Sequence, residues 1–108
     1  MKNALLCLML LACIVSASAS NNPTVLITPS PVSVVSGGTQ LFTAAFSDGS
    51  QVQNCTWLTT GNTNAIQGTG VSTAEFAAGT LKATYIVQAT CNNTNNVQAM
   101  GIAVVAVR

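Results

Sequence analysis

Turn signals recur along most of this chain and limit the length of any regular element between them. They lie at residues 36–39 (SGGT), 47–50 (SDGS), 68–70 (GTG), 77–80 (AAGT) and 92–96 (NNTNN). The segments between them are rich in β-branched residues, and none shows a sustained helical period with capping signals. About seven short strands at this spacing predict an all-β sandwich.

Alternation within the predicted strands identifies candidate core residues. One strand carries Phe42 and Phe46 on a wholly apolar face, so we expect that face to point inward. A later strand carries Val87 on the same face as Cys91. Trp57 is the only tryptophan, and we expect it to pack in the core. The predicted core set is therefore Phe42, Phe46, Trp57 and Val87.

Two prolines, Pro29 and Pro31, interrupt the first predicted strand. Because proline has no N–H to donate to a ladder, we expect a single edge strand split between 24–28 and 32–35. The sequence does not define the strand register of residues 78–85. The other predicted strands are 40–47, 51–60, 65–67, 71–76, 81–91 and 98–107.

The N-terminal segment has the composition of a secretory signal peptide. Lys2 precedes an unbroken apolar run at 4–15, and the small residues Ala17 and Ala19 match a cleavage site after Ala19. The run is shorter than the roughly 20 apolar residues that span a bilayer. We expect a cleaved signal peptide at 1–19 and one domain at 20–108, with no membrane span in the mature chain.

Two alternatives for this segment stay open. An uncleaved segment would act as an N-terminal anchor, and Cys13, in the sequence LLAC, would carry a lipid if the chain were a bacterial lipoprotein. Ile14 and Val15 extend the apolar run beyond Cys13, where lipoproteins usually turn polar. This continuation favours the secretory interpretation.

The predicted mature chain carries almost no charge. Its charged side chains are Asp48, Glu75, Lys82 and Arg108, which sum to zero, and the sequence has no histidine. A neutral chain has no field to attract nucleic acid. Glu75 and Lys82 are the candidates for acid–base work, and a carboxylate without a partner carboxylate or a histidine is a poor basis for such catalysis. We therefore expect neither a nucleic-acid partner nor an enzyme.

Cys55 and Cys91 are the two cysteines that remain after removal of 1–19. In an exported chain, such a pair predicts one disulfide, worth about 3–4 kcal/mol for a loop of this length. A nucleophilic cysteine lacks a histidine base, and two cysteines alone do not complete a zinc site. The lone carboxylate of Asp48 would hold calcium weakly. We expect no metal and no cofactor.

Several short motifs follow one another in a recognisable order along the domain. A glycine turn precedes Thr-Gln and an aromatic residue, an Asp-Gly turn precedes a strand with tryptophan, and a Gly-Val-x-Thr-Ala segment precedes an alternating strand. The residues are Gly38, Thr39, Gln40, Phe42, Thr43, Ala44, Asp48, Gly49, Trp57, Gly70, Val71, Thr73, Ala74, Val87 and Ala89. This order resembles the bacterial immunoglobulin-like domain, group 2, over nearly all of 20–108.

The resemblance implies an immunoglobulin-like Greek-key β-sandwich of about seven strands. In that topology the third and sixth strands are antiparallel neighbours, so Cys55 and Cys91 should face each other within one sheet and point toward the core. Antibody domains instead join the second and sixth strands. The family usually lacks this cysteine pair.

The resemblance also implies a secreted, non-enzymatic module for cell-surface or extracellular recognition or adhesion. Its partner would be a surface protein or a glycan, and the mature chain would be a monomer. We expect binding through two loops at one end of the sandwich. The candidate residues in these loops are Asn62, Thr63, Asn64, Asn92, Asn93 and Asn95.

A structural or assembly role through sheet edges is the second hypothesis. The last predicted strand is apolar between Gly101 and Val107 and lacks charge until Arg108. Such a strand can be donated to a partner, or it can complete its own sandwich.

The export prediction is tested by the intact mass of the secreted protein. The mass should correspond to a chain that starts at Ser20, with two thiols that react with an alkylating reagent only after reduction. A diacylglyceryl group on Cys13 would instead make the protein a lipoprotein. Thiols that react without reduction would contradict the disulfide.

Overall fold

The computed structural model describes residues 23–108, so the predicted signal peptide and Cys13 lie outside the described residues. Short turns join eight strands in this part of the chain. The strands are β1 (Val25–Thr28), β2 (Val32–Val34), β3 (Thr39–Phe46), β4 (Val52–Thr59), β5 (Ala65–Gly68), β6 (Thr73–Ala77), β7 (Thr84–Asn93) and β8 (Gln98–Val107).

The strands form two four-stranded sheets that pack as a sandwich. Sheet 1 has the order β1-β3-β6-β5, and sheet 2 has the order β2-β8-β7-β4. The short β2 pairs with β8 in parallel, and the other pairs are antiparallel. The predicted all-β sandwich is confirmed, with eight strands instead of about seven.

The additional strand comes from the proline-interrupted first segment. We predicted one split edge strand, but its two halves lie at the edges of different sheets: β1 pairs with β3, and β2 pairs with β8. Pro29 and Pro31 lie where the chain crosses between the sheets. Proline is tolerated there because no ladder bond is required of the connection.

β7 begins three residues later than predicted, at Thr84 instead of Leu81. Leu81 and Lys82 are exposed in the connection from β6, and the Tyr85 hydroxyl donates to the Leu81 carbonyl at 2.8 Å. The register that the sequence left open is now defined, because Thr84 pairs with Ala106 of β8.

The inner faces of the two sheets enclose one apolar core. The predicted core residues Phe42, Phe46, Trp57 and Val87 are all buried. Phe76 of β6 is also fully buried and stands edge-on to Phe42, with ring centroids 6.2 Å apart. The predicted core set did not include Phe76, which ends the predicted strand 71–76.

β8 lies inside sheet 2, between β2 and β7, and completes its own sandwich. Segment 25–30 packs against β8 next to the three residues, Val105–Val107, that pair with β2. The Val104 N–H donates to the Ser30 hydroxyl at 3.0 Å, and the carbonyl of Val25 approaches Gly101 so closely that a Cβ there would overlap it. This last strand is therefore an inner strand of its own sheet.

Gly101→Ala should lower the free energy of unfolding by about 1–3 kcal/mol, since the added methyl group meets backbone that cannot rotate away. Met100→Ala is the matched control: Met100 is exposed, so its loss should change stability by less than about 0.5 kcal/mol. Urea unfolding measures both. Equal stability of the two variants would contradict the close approach of Val25.

Candidate functional site

A disulfide joins Cys55 and Cys91, which are directly paired residues of β4 and β7. The S–S distance is 2.04 Å and the Cα atoms are 4.0 Å apart. Cys91 is fully buried, and Cys55 is half-buried with its side chain against the core. The predicted pairing within one sheet is confirmed. Neither sulfur is free to act as a nucleophile or a metal ligand.

Trp57 lies two residues after Cys55 on the same inner face of β4. Gly68 of β5 lies beside the indole, since a Cβ at that position would be 3.9 Å from Cδ1 of Trp57. The indole Nε1 is buried, and it has no hydrogen-bond partner among residues 23–108. A covered ring cannot stack on a sugar, so Trp57 serves the core.

The two asparagine-rich loops lie at opposite ends of the sandwich, which corrects the prediction that they share one end. After β4, the Thr60 N–H donates to the carbonyl of Ile86 near the start of β7, at 3.0 Å. After β7, the Thr94 N–H donates to the carbonyl of Gln51 just before β4, at 3.1 Å. β4 and β7 are antiparallel, so the loop that follows β4 and the loop that follows β7 lie at opposite ends of the strand pair.

We call the end formed by residues 47–51 and 94–97 the Asn93 end, after the residue that organises it. Asn93 is the last residue of β7 and is 2% exposed. Its Oδ1 accepts from the N–H groups of Asn95 and Val97, each at 2.9 Å. Its Nδ2 donates to the Ser50 hydroxyl at 3.1 Å. Asn93 holds the two loops together and is not available to a ligand.

Asp48 continues this network to the surface. The Ser50 hydroxyl donates to Asp48 Oδ1 at 2.6 Å, and the Ser50 N–H donates to the same oxygen at 2.9 Å. The hydroxyl bond, followed by the backbone bond, lowers the pKa of Asp48 below its ordinary value. The tetrapeptide SDGS indicates this turn. Nothing local shows that Ser50 meets Asn93, which lies 43 residues away.

The other asparagines near this end differ in their exposure. Asn95 and Asn96 are exposed in the loop, and Asn96 has a positive φ of 63°. Asn92 lies in β7 on the outer face of sheet 2, where its Nδ2 donates to Asn54 Oδ1 at 3.0 Å. Of the predicted residues here, only Asn95 presents an exposed side chain in the loop.

In the loop at the opposite end, an asparagine side chain again bonds to backbone groups. Asn64 is half-buried, its Nδ2 donates to the carbonyl of Thr60 at 3.0 Å, and its Oδ1 accepts from the Gly79 N–H at 2.8 Å. Asn64 therefore shapes its loop. Asn62 and Thr63 are exposed beside it and remain candidates for binding.

The remaining charged groups are dispersed. Glu75 is exposed on the outer face of sheet 1, paired with Leu41 and Gln67, and Lys82 is exposed in the connection to β7. Residues 23–108 contain no pocket and no cluster of three metal-ligating side chains of the His, Cys, Asp and Glu type. In that same range, no helix is long and apolar enough to cross a bilayer.

Comparison with known proteins assigns no relative: no family model matches the chain, and no curated protein matches it. The resemblance to the bacterial immunoglobulin-like domain, group 2, therefore stays a prediction. What the structure establishes is the two-sheet sandwich with its disulfide.

Asn93→Ala should destabilise the domain by about 1–3 kcal/mol, because it leaves the N–H groups of Asn95 and Val97 without their acceptor. Asn95→Ala removes an exposed amide of the same type and should change stability by less than about 0.5 kcal/mol. Urea unfolding at neutral pH compares the variants. A neutral Asn93→Ala would mean that the Asn93 end does not depend on this side chain.

Proposed function

We propose that the chain is an immunoglobulin-like module, exported from the cell, that recognises an extracellular or cell-surface partner without catalysing a reaction. The strand order carries this proposal. Sheet 1 corresponds to the four-stranded ABED sheet of a constant-type immunoglobulin domain, and β4, β7 and β8 correspond to its CFG sheet. Trp57 lies on the third of these seven strands, as the tryptophan of antibody domains does.

The disulfide supports export. Disulfides persist in oxidising compartments such as the periplasm or the exterior of the cell, and they are rare in the cytosol. The predicted signal peptide at 1–19 agrees with that setting. A lipid anchor at Cys13 would hold the same module at a membrane surface and is the alternative localisation.

The Asn93 end is the best-supported binding surface. Its two loops are tied together by the buried Asn93 amide, so exposed groups such as Asn95 and Gln51 project from fixed backbone. A fixed surface loses less entropy on binding than a flexible loop. Amide groups beside the single carboxylate of Asp48 suit a polar, largely uncharged ligand, namely a glycan or an uncharged protein surface.

An assembly role is the second candidate function. One strand at the edge of a sheet is free to pair with a partner, and this supports such a role. β8 pairs with β7 on one side, and on the other it pairs with β2 at Val105–Val107 and bonds to Ser30 at Val104. β4 is instead the outermost strand of sheet 2. An assembly function would therefore use β4 and not a donated β8.

Binding to an array of neutral and acidic oligosaccharides, and to immobilised fibronectin, collagen and laminin, tests the recognition proposal. Asn95→Ala should weaken binding about tenfold, which is the loss expected for one interfacial hydrogen bond. Asn62→Ala, the matched exposed asparagine at the opposite end, should leave binding unchanged.

The reverse result, with Asn62→Ala weakening the interaction, would move recognition to the opposite end. Absence of binding to every ligand tested, by a folded and oxidised protein, would favour the assembly role instead. Retained binding in both variants would remove the two loops from the interface.

A further inference from the structure

The four edges of the two sheets differ in length and in protection. β1 and β5 have four residues each, and β2 has three. Pro29 follows β1, Pro31 precedes β2, and β5 ends at Gly68. β4 is the longest edge strand, with eight residues. A long unpaired edge is a template for a further strand unless something blocks it.

Ladder alternation shows which backbone groups of β4 face outward. Thr60 donates its N–H to Ile86 of β7, so in this antiparallel pair Thr56 and Leu58 also bond toward β7. The N–H and C=O groups of the alternate residues Cys55, Trp57 and Thr59 therefore point away from the sheet. Among residues 23–108, β4 pairs with β7 alone, and no turn or loop hydrogen bond uses these backbone groups.

This stretch of β4 carries none of the sequence features that usually protect a sheet edge. Proteins protect edges with lysine, proline, bulges or short strands. The one irregularity of β4 is the register shift between Val52 and Asn54, at its beginning. From Asn54 to Thr59 the sequence NCTWLT contains no charge, no proline and no glycine.

The outer face of sheet 2 beside this edge is also free of charge. Strands β4, β7 and β8 present amides, hydroxyls and apolar side chains there, and the described chain places no Asp, Glu, Lys or Arg within these three strands. The exposed apolar residues of this face include Leu58, Met100 and Ile102. An identical face on a second copy would therefore meet no like-charge repulsion.

We infer that β4 is an association edge, and that its occupant is β4 of a second copy of this chain. Two copies related by a two-fold axis through the Trp57 backbone would pair Cys55 with Thr59 of the other copy. Each unpaired N–H and C=O of Cys55, Trp57 and Thr59 then gains a partner. On the outer face, Leu58 of one copy lies beside Thr56 of the other.

This inference rests on the second candidate function, assembly through β4, and names its occupant and register; it does not depend on recognition at the Asn93 end. It also departs from the monomer expected from the sequence. The proposal is specific because it fixes the orientation, the register and the side chains that become neighbours. Strand addition uses main-chain hydrogen bonds for affinity and neighbouring side chains for specificity.

Sedimentation velocity from about 10 μM to about 1 mM tests the association, a range that covers weak to moderate dissociation constants. The wild-type chain should shift from monomer toward dimer across this range. Leu58→Lys should raise the dissociation constant at least tenfold, because it places a charge at the edge while keeping every backbone group. Leu41→Lys, equally exposed on the central β3 of sheet 1, is the matched control and should have no effect.

Two further measurements distinguish edge pairing from stacking of the flat faces. Amide exchange at Cys55, Trp57 and Thr59 should slow as the concentration rises, since these N–H groups enter hydrogen bonds in the dimer. Thr56→Glu mixed with Leu58→Lys should recover at least part of the lost affinity, because the new charges become neighbours across the axis.

A monomer at the highest concentration would overturn the inference. So would a dimer that Leu58→Lys leaves intact, or one in which the three amides exchange at the monomer rate. The folded state of each variant is checked by circular dichroism and by its resistance to urea. A loss of recognition at the Asn93 end would leave these results unaffected, because the two surfaces share no residue.

Discussion

The direct pairing of Cys55 with Cys91 is the constraint on which much of the structure depends. The bond fixes one residue pair of β4 and β7, and the pairs from Asn54 to Thr59 keep the register of this pair. A slip of one residue would turn each side chain to the opposite face. With the bond in place, Trp57 and Val87 point into the core and Asn54 meets Asn92 on the outer face.

The sequence predicts those parts of the fold that depend on local pattern. β8 begins and ends where predicted. A polar asparagine loop precedes it, and an uninterrupted apolar run continues up to Arg108. The division of the first segment between two sheets could not be predicted. Prolines show that the strand is interrupted, but the sheet that each half joins depends on its partner, β3 for one half and β8 for the other, and no local pattern identifies these partners.

The roles of the asparagines in the candidate site also depend on partners that the sequence does not identify. Asn62, Asn64, Asn93 and Asn95 are one residue type in similar loops, and the sequence treats them alike. Asn64 and Asn93 reach Gly79 and Ser50 across the fold and become structural, whereas Asn62 and Asn95 stay exposed. Long-range hydrogen bonds decide this division, and no local signal identifies their partners.

The two proposed surfaces can both be used in one molecule, and their positions on β4 determine how a dimer would present its binding ends. The Asn93 end lies at the beginning of β4, whereas the association edge runs along the side of the same strand, from Cys55 to Thr59. Antiparallel pairing of two β4 strands would direct the two Asn93 ends in opposite directions. Such a dimer would connect two partners on separate surfaces, because its binding ends cannot both reach one flat surface. Multivalent binding to one surface requires that both sites engage together, so cross-linking is the activity that this geometry favours.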